Sequence, residues 1–143
     1  KEKKIIGYTT GVFDLFHIGH LNILRRAKEE CDYLIVGVTT DELAFKLKNK
    51  KPIIPFNERC EIIKHINCVD KVIPQNEINE LNDYERLKFN KIFKGSDWQN
   101  TEKWNKLENI FKQKGVKVIY FPYTQNTSSS MIRKILEDKI IEK

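Results

Sequence analysis

The chain lacks the residues and patterns that mark several large classes of protein. Its 143 residues include three cysteines, at 31, 60 and 68, with no C-x-x-C spacing, so neither a disulfide framework nor a zinc knuckle is supported and plain reduced thiols are expected. No apolar run approaches the ~20 residues that a membrane-spanning helix needs. The charged start at residues 1–4 is not followed by the apolar segment of a signal peptide, so a cytoplasmic location is the default expectation.

Glycine is also scarce, and the chain carries no sign of subdivision. There are six glycines, and the G-x-G-x-x-G fingerprint of dinucleotide-binding folds is absent. No internal repeat or low-complexity linker interrupts the chain, and 143 residues fit one domain, taken as 1–143. Charged residues make up 32% and hydrophobic residues 40%, a balance that favours a folded globular protein over disorder.

Positive charge is in excess, since 26 Lys and Arg against 20 Asp and Glu give a net charge of +6. Such an excess could bind nucleic acid, or it could line a pocket for a small polyanion. The lysines are spread out, apart from one denser stretch over residues 46–51. No alternation of aromatic and basic residues typical of an RNA- or DNA-binding module is visible. The sequence therefore predicts no nucleic-acid partner.

Apolar, β-branched runs alternate with helical patterns along the whole chain. The runs predict strands over 4–9, 33–38, 69–74, 92–94 and 116–121, and the spacing of apolar residues predicts helices over 20–30, 55–67, 103–114 and 128–138. Asn57 is the predicted N-cap of the second helix, and Gly115 is predicted to close the third. The alternation predicts an α/β fold, a doubly wound parallel sheet with helices on both faces.

The loop after the first predicted strand carries the strongest functional pattern. Residues 10–20 contain two histidines, His17 and His20, placed three apart where a helix begins. This spacing puts both imidazoles on one side of the first helical turn, where free backbone N–H groups favour an anion. Gly19 between them lets the backbone approach a ligand closely. The pattern indicates a phosphate cradle that could stabilise charge developing on phosphorus.

Two other interpretations of the histidine pair stay open on the residues alone. A single histidine is more often an ordinary core or surface residue than a catalyst, and H-x-G-H could also hold a metal. A zinc site would want a third ligand, and the only other histidine, His65, is predicted on a helix far along the chain. No metal ligand is therefore assigned.

Residues 11–20 resemble the H-x-G-H signature of the nucleotidyltransferase superfamily, in the G-x-F-D-L-x-H form of its cytidylyltransferase branch. Four further blocks resemble that family in the same order: 31–42, 48–52 with 57–59, 94–98, and 123–130. The last block stands where the family has R-T-E-G-I-S-T-[ST]. The resemblance covers nearly the whole chain and implies a Rossmann-like fold in a single domain.

The same resemblance implies an enzyme that transfers CMP from CTP to a phosphorylated small-molecule acceptor and releases pyrophosphate and a CDP-linked product. The acceptor phosphate is already an anion, so the enzyme's task is positioning and charge neutralisation. A divalent cation, Mg²⁺, would accompany the triphosphate, held by phosphate oxygens and water rather than by a protein cage. The branch includes enzymes that act on glycerol 3-phosphate, phosphocholine and phosphoethanolamine.

The resemblance also assigns roles to individual residues. The catalytic set comprises His17, His20, Lys48 and Lys50. The nucleotide-binding set comprises Thr10, Gly11, Val12, Phe13, Gly19, Asp97, Trp98, Tyr123, Thr124, Thr127, Ser128 and Ser129. Arg59 would grip the acceptor phosphate through its guanidinium, and Asp14 would orient the acceptor or a loop.

Assembly is a further implication of the resemblance, which suggests a homodimer with the two active sites near a shared interface. Apolar residues of the first loop could form the centre of that interface or could be ordinary core. These residues are Val12, Phe13, Leu15, Phe16 and Ile18.

Two departures leave the acceptor open. Tyr123 and Asn67 stand where the glycerol-3-phosphate enzymes have arginines. Two other functions also remain: an adenylyltransferase that uses ATP at the same H-x-G-H site, and a non-catalytic nucleotide- or RNA-binding module. The form of the first loop and the element at 95–98 favour CTP. A non-catalytic module would predict damaged histidines or a basic appendage, and the sequence has neither.

Overall fold

The computed structural model describes residues 4–122 and 128–141. Strands and helices alternate along these ranges. In chain order they are β1 (Ile6–Gly11), α1 (Ile18–Glu29), β2 (Tyr33–Thr39), α2 (Asp41–Lys48), α3 (Phe56–Lys64), β3 (Lys71–Gln75), α4 (Glu80–Leu87), β4 (Lys91–Gly95), a 3₁₀ turn (Ser96–Trp98), α5 (Glu102–Gln113), β5 (Lys117–Phe121) and α6 (Ser129–Ile141).

The strands form one parallel sheet in the order β3-β2-β1-β4-β5. Gly7 of β1 lies opposite Leu34 of β2 on one side and Lys91 of β4 on the other. The chain moves outward from β1 to β3, then returns to the far side of β1 with β4, so the strand order reverses between β1 and β4. The predicted doubly wound α/β fold is confirmed. Ligands of such sheets bind at this reversal, beyond the carboxyl ends of the strands.

Each face of the sheet packs against its own helices, because successive strand residues point to opposite faces. The core of the first face includes Leu24 and Ala27 of α1, Leu34, Val36 and Val38 of β2, and Ile63 of α3. The core of the second face includes Tyr8 of β1, Ile35 of β2, Ile92 of β4, and Trp104, Leu107 and Phe111 of α5. The alternation along β2 explains why its sequence is an almost continuous apolar run.

Helix α2 was not predicted from the sequence, and it includes the first half of the lysine-rich stretch 46–51. The Thr40 side chain accepts a hydrogen bond from the N–H of Leu43 and caps the start, and Asn49 ends the helix in the left-handed region at φ 58°. Lys46 and Lys48 therefore lie on the last helical turn, where the helix dipole favours positive charge. Only the second half of the basic stretch is loop.

The N-terminus of α3 differs from the prediction, whereas the C-terminus of α5 agrees with it. Helix α3 has Pro55 as its N-cap with no side-chain hydrogen bond, so the prediction of Asn57 as the cap was wrong. Helix α5 ends as predicted near Gly115, which follows the C-cap at φ 77°. The N–H of Val116 donates to the carbonyl of Phe111 at 2.8 Å, a Schellman-type closure that needs the left-handed glycine.

Two general expectations bear on the class of protein. Within the described residues, no helix combines the length and apolar character needed to cross a membrane. Cys31, Cys60 and Cys68 are free thiols, and burial raises the pKa of each. The expectation of plain reduced thiols therefore agrees with the structure.

Candidate active site

Helix α1 begins at a pair of histidines whose side chains cap it. The backbone N–H of Gly19 donates to Nδ1 of His17 at 3.0 Å, and the N–H of His17 donates to Nδ1 of His20 at 3.2 Å. Since each Nδ1 accepts a hydrogen bond, each neutral ring carries its proton on Nε2. The rings stack with centroids 4.0 Å apart. The helix start thus presents two adjacent N–H donors, which suit the oxygens of a phosphate.

Burial favours the neutral form of both histidines. Burial, reinforced by the neighbouring His17, lowers the pKa of His20 to about 4. Burial also lowers the pKa of His17 below its ordinary value. The edge of the Phe13 ring packs against His20 with centroids 5.4 Å apart, and Phe16 covers it at 5.3 Å. An anion beside these rings would raise both pKa values, because it stabilises the protonated form.

The start of α6 meets this histidine pair. The hydroxyl of Ser129 donates to the backbone carbonyl of Asp14 at 2.6 Å, and its oxygen lies 3.4 Å from Nε2 of His20. With the proton on Nε2, the contact runs from the ring N–H to the hydroxyl and on to the carbonyl. Ser128 accepts a hydrogen bond from the N–H of Met131, as an N-cap side chain does. Histidine and serine, predicted from distant segments, are brought together.

Asp14 lies beside the histidines and holds a loop. Its carboxylate accepts hydrogen bonds from the N–H groups of Ile53 and Ile54 at 2.8 and 2.9 Å, and from Nη2 of Arg133 at 3.3 Å. Asp14 is only 7% exposed. The sequence left two roles open for it, the acceptor or a loop, and these contacts favour the loop.

The backbone on either side of Asp14 is in an uncommon conformation. Phe13 and Leu15 have φ values of 55° and 52°, in the left-handed region that non-glycine residues rarely occupy. Each such residue costs on the order of 1 kcal/mol and persists where its surroundings fix it. Gly11 contributes, because a Cβ there would lie 2.9 Å from the Phe13 ring. The loop that presents the histidines is thus held rigidly by its neighbours.

Arg59 is a buried brace, only 1% exposed. Its guanidinium donates four hydrogen bonds. The acceptors are the carbonyls of Ile54 at 2.9 Å, Val12 at 2.7 Å and Thr39 at 2.7 Å, and Oδ1 of Asp41 at 2.6 Å. These bonds tie the ends of β1 and β2 to the start of α2 and to the loop before α3. The four bonds give Arg59 a structural role in the described geometry, and its predicted grip on an acceptor phosphate stays a prediction.

The predicted catalytic lysines lie at the end of α2 and just beyond it. Lys48 is the last residue of that helix, and Lys50 is exposed, with Nζ 4.0 Å from Oε1 of Glu137 on α6. The segment 49–55, called the lysine loop here, is anchored through Ile53 and Ile54 to Asp14. This anchor places the loop beside the histidines, because Asp14 is in the same turn of chain.

The 3₁₀ turn after β4 contains the predicted base-binding residues Asp97 and Trp98. Nζ of Lys94, at the end of β4, lies 5.0 Å from the ring centre of Trp98 and 5.4 Å from that of Trp104. Burial lowers the pKa of Lys94. Trp98 remains 42% exposed, so part of its ring is open to a ligand. The turn lies at the same sheet edge as Gly11, since β4 pairs with β1.

The other predicted nucleotide-binding residues divide into two groups. Thr10 and Gly11 lie at the end of β1, paired with Gly37 and Val38 of β2. Tyr123, Thr124 and Thr127 lie outside the described residues. The roles proposed for all of them stay predictions.

Arg133 reaches the site from α6 and was missed by the sequence analysis. It contacts Asp14 and donates to the carbonyl of Lys51 at 2.6 Å. Its position four residues after Ser129 places both on one side of α6, which was the available signal. Among the described residues, no group of three or more His, Cys, Asp or Glu is arranged to hold a metal ion.

The sequence is similar to that of known proteins over most of its length. Residues 8–135 match the family model described as "Cytidylyltransferase-like". The chain is 38% identical over 133 residues to a glycerol-3-phosphate cytidylyltransferase of Bacillus spizizenii, covering 92% of this chain and 95% of that protein. It is 34% identical over 145 residues to an FAD synthase of Thermococcus sibiricus, covering 99% and 96%.

A solved structure is similar as well. The lipopolysaccharide core biosynthesis protein of Thermoplasma volcanium superposes with a TM-score of 0.72 at 28% identity, covering 87% of this chain and all of that one. The fold, the capped histidine pair and the match over residues 8–135 point the same way. The chain belongs to the cytidylyltransferase-like family and is a nucleotidyltransferase.

Proposed function

We propose that the protein transfers CMP from CTP to a phosphorylated small-molecule acceptor, releasing pyrophosphate and a CDP-linked product. The observation that carries the proposal is the stacked pair of neutral histidines with their Nε2–H donors beside Ser129. This donor pair stands where a parallel sheet binds ligands, in a chain of the cytidylyltransferase-like family. The relative from Bacillus spizizenii, named a glycerol-3-phosphate cytidylyltransferase, supports CTP as the donor.

In this mechanism an oxygen of the acceptor phosphate attacks the α-phosphorus of CTP. A new P–O bond forms, the bond from the α-phosphorus to the bridging oxygen breaks, and pyrophosphate leaves. The Nε2–H groups of His17 and His20 donate to phosphate oxygens on which charge increases, and that of His20 exchanges its long 3.4 Å contact with Ser129 for the phosphate. Lys48 and Lys50 neutralise the phosphates of both substrates. No general base is required, because the attacking oxygen is already anionic.

Glycerol 3-phosphate is the first acceptor to test, with phosphocholine and phosphoethanolamine as related candidates. The names of the curated relatives support glycerol 3-phosphate. The cations around the acceptor differ from those of the glycerol-3-phosphate enzymes by resemblance, since Tyr123 and Asn67 stand where those enzymes have arginines. A different phosphorylated metabolite is the natural alternative.

A divalent cation, Mg²⁺, is part of the proposal. The donors around the site suit the triphosphate rather than a metal cage, since Asp14 already accepts three hydrogen bonds. The cation would bind to phosphate oxygens and water. When bound, it would neutralise charge on the triphosphate.

A second candidate is adenylyl transfer from ATP at the same histidines. The similarity to an FAD synthase over 99% of the chain favours it, because FAD contains an adenylate. A non-catalytic nucleotide-binding module is the weaker alternative, since both histidines are present with their donors in place.

The experiment is pyrophosphate release from CTP and from ATP, each with Mg²⁺ and a panel of phosphorylated acceptors. CTP should exceed ATP by a wide margin, because a site that hydrogen-bonds one base edge rejects another strongly. A variant with His17→Asn and His20→Asn serves as the inactive control. Pyrophosphate release from ATP but not from CTP would replace the proposal by adenylyl transfer. Release from neither triphosphate would favour the binding module.

A further inference from the structure

We propose that Arg133 is a positioning residue that holds the lysine loop in place for phosphate binding. The inference deepens the proposed nucleotidyl transfer and rests on it for its kinetic consequence. It gives a positioning role to the face of α6 that carries Arg133, a residue that the sequence did not point to.

The contacts of Arg133 connect two parts of the site. Nη2 donates to the backbone carbonyl of Lys51 at 2.6 Å and to Oδ2 of Asp14 at 3.3 Å. Nη1 lies 3.9 Å from Oε1 of Glu137, one helical turn further along α6. The Arg133 side chain is 23% exposed and that of Asp14 is 9% exposed. The contact with Asp14 is shielded from solvent and so is stronger than a surface ion pair, whereas the contact with the Lys51 carbonyl is exposed.

The Lys51 carbonyl is the important acceptor, because it lies next to the proposed catalytic Lys50. The other anchors of the loop lie further along, where Ile53 and Ile54 donate to Asp14. Within the described residues, the Arg133 contact is therefore the nearest anchor after Lys50, while on the other side the N–H of Asn49 donates to the carbonyl of Phe45 at 2.6 Å. Its loss would free the segment between the end of α2 and Ile53.

Helix α6 also contacts the histidine end of the site. Ser129, four residues before Arg133, bonds to the carbonyl of Asp14 and lies against His20. The same helix thus contacts both a histidine proposed to bind the triphosphate and the loop that carries Lys50.

Glu137 on the same helix face contacts the lysine itself. Its Oε1 lies 4.0 Å from Nζ of Lys50, and both side chains are largely exposed. A surface pair of this kind is weak, so a triphosphate would displace it readily. Arg133 thus holds the backbone of the lysine loop, whereas Glu137 pairs with the Lys50 side chain only until a triphosphate binds.

The kinetic test combines Arg133→Met with the loss of the lysines it is proposed to position. In the wild-type background, Arg133→Met should lower kcat by at least about tenfold, the scale of a lost charge-assisted contact. In a background with Lys48→Met and Lys50→Met, it should change kcat by less than about twofold, because residues that act through one another are not additive. Arg133→Lys should restore part of the loss. Lys134→Met removes a neighbouring exposed charge as a matched control, with near wild-type kinetics expected.

A second measurement needs no nucleotide. Trypsin should cleave after Lys48 and Lys50 at least about tenfold faster in Arg133→Met than in Lys134→Met, because cleavage tracks the population of the open loop. Urea unfolding of both variants, with equal midpoints expected, separates loop release from global loss of stability.

The outcomes are separable. Equal fold-losses from Arg133→Met in both backgrounds, or unchanged cleavage of the lysine loop, would overturn the positioning role. If the wild-type protein releases no pyrophosphate from any triphosphate, the proposed function fails, while the cleavage comparison still decides whether Arg133 holds the loop. If Arg133→Met shifts the urea midpoint, cleavage after Lys48 and Lys50 is compared with cleavage after the exposed Lys112 of α5 in the same variant, and equal acceleration at both places also overturns the role.

Discussion

The hydroxyl oxygen of Ser129 lies 3.4 Å from Nε2 of His20, although 109 positions separate the two residues in the chain. The starts of α1 and α6 therefore lie side by side at the same end of the site. The same hydroxyl donates to the carbonyl of Asp14 at 2.6 Å. One serine thus connects the ring donor of a proposed catalytic histidine to the loop that presents it.

Replacing this serine should weaken nucleotide binding. Ser129→Ala removes the hydroxyl beside His20 while leaving the helix intact, so we expect KM for CTP to rise by about tenfold, within the range of one lost hydrogen bond to a charged group. Turnover at saturating CTP should fall less than that. Steady-state kinetics test the prediction, with Ser130→Ala, an exposed neighbour, as the control. Equal KM values in the two variants would contradict it.

The histidines can be tested without removing the helix cap. His17→Asn and His20→Asn each keep a side-chain oxygen near the Nδ1 position, which can still accept the backbone hydrogen bond. Each variant loses the Nε2–H donor, so turnover should fall by on the order of 10²–10³. Pyrophosphate release at saturating substrate measures this turnover. His65→Asn, at the exposed end of α3, is the control. Near-normal turnover would remove that histidine from the mechanism.

The sequence predicted the strands and the histidine pair well because both are local patterns. Strand β2 is recognisable from its composition, since both of its faces are buried. Helix α2 was missed because only Leu43 and Ala44 are buried along its eight residues, too few to show a helical period. The last turn of that helix contains Lys46 and Lys48, so the end of the helix lies inside the lysine-rich stretch 46–51.

The roles of the charged residues could not be predicted in the same way. The helical spacing of 55–67 puts Arg59 on the polar side of that helix, yet the side chain is buried and its four acceptors come from segments up to 47 positions away. Asp14 and Arg133 are 119 positions apart. Such contacts follow from the crossing of segments at the carboxyl edge of the sheet, and no local spacing encodes them.

The burial of Arg59 leads to a prediction that separates its two possible roles. Arg59→Met would leave the Asp41 carboxylate and three carbonyls without their donor, so the free energy of unfolding should fall by about 3 kcal/mol, as for other broken buried pairs. Urea denaturation measures this loss. A phosphate ligand would behave differently, because its removal would raise KM for the acceptor without a large change in stability. That second result would restore Arg59 to the acceptor site.

The low pKa of His20 predicts a dependence of stability on pH. His20 has a pKa of about 4 in the folded protein and 6.5 when unfolded, so the unfolded state binds more protons between these values. The contribution of His20 is complete above pH 6.5 and is lost as the pH falls towards 4. Wild-type protein should therefore lose more stability between pH 7 and pH 4.5 than His20→Asn does. Urea midpoints at both pH values measure the difference, and parallel losses would contradict the assignment.

Assembly as a homodimer remains a prediction, and the structure leaves fewer apolar residues of the first loop exposed for contact with a partner. Phe13 is buried in the core and Phe16 packs against it, so of the apolar loop residues Ile18, at 47% exposure, is the most available to a partner. In a two-fold interface Ile18 would lie close to its own copy or to the same surface patch, and Ile18→Glu would then bury a charge.

Light scattering should accordingly give twice the 17.0 kDa chain mass for the wild-type protein at micromolar concentration. Ile18→Glu should shift the mass towards a single chain, while Ile110→Glu on α5, an equally simple change at an exposed isoleucine, should not. Activity should fall on dilution together with the dimer, because the family resemblance places the two sites near the shared interface. A mass of one chain with full activity would refute the dimer, and a stable dimer in Ile18→Glu would move its interface away from the first loop.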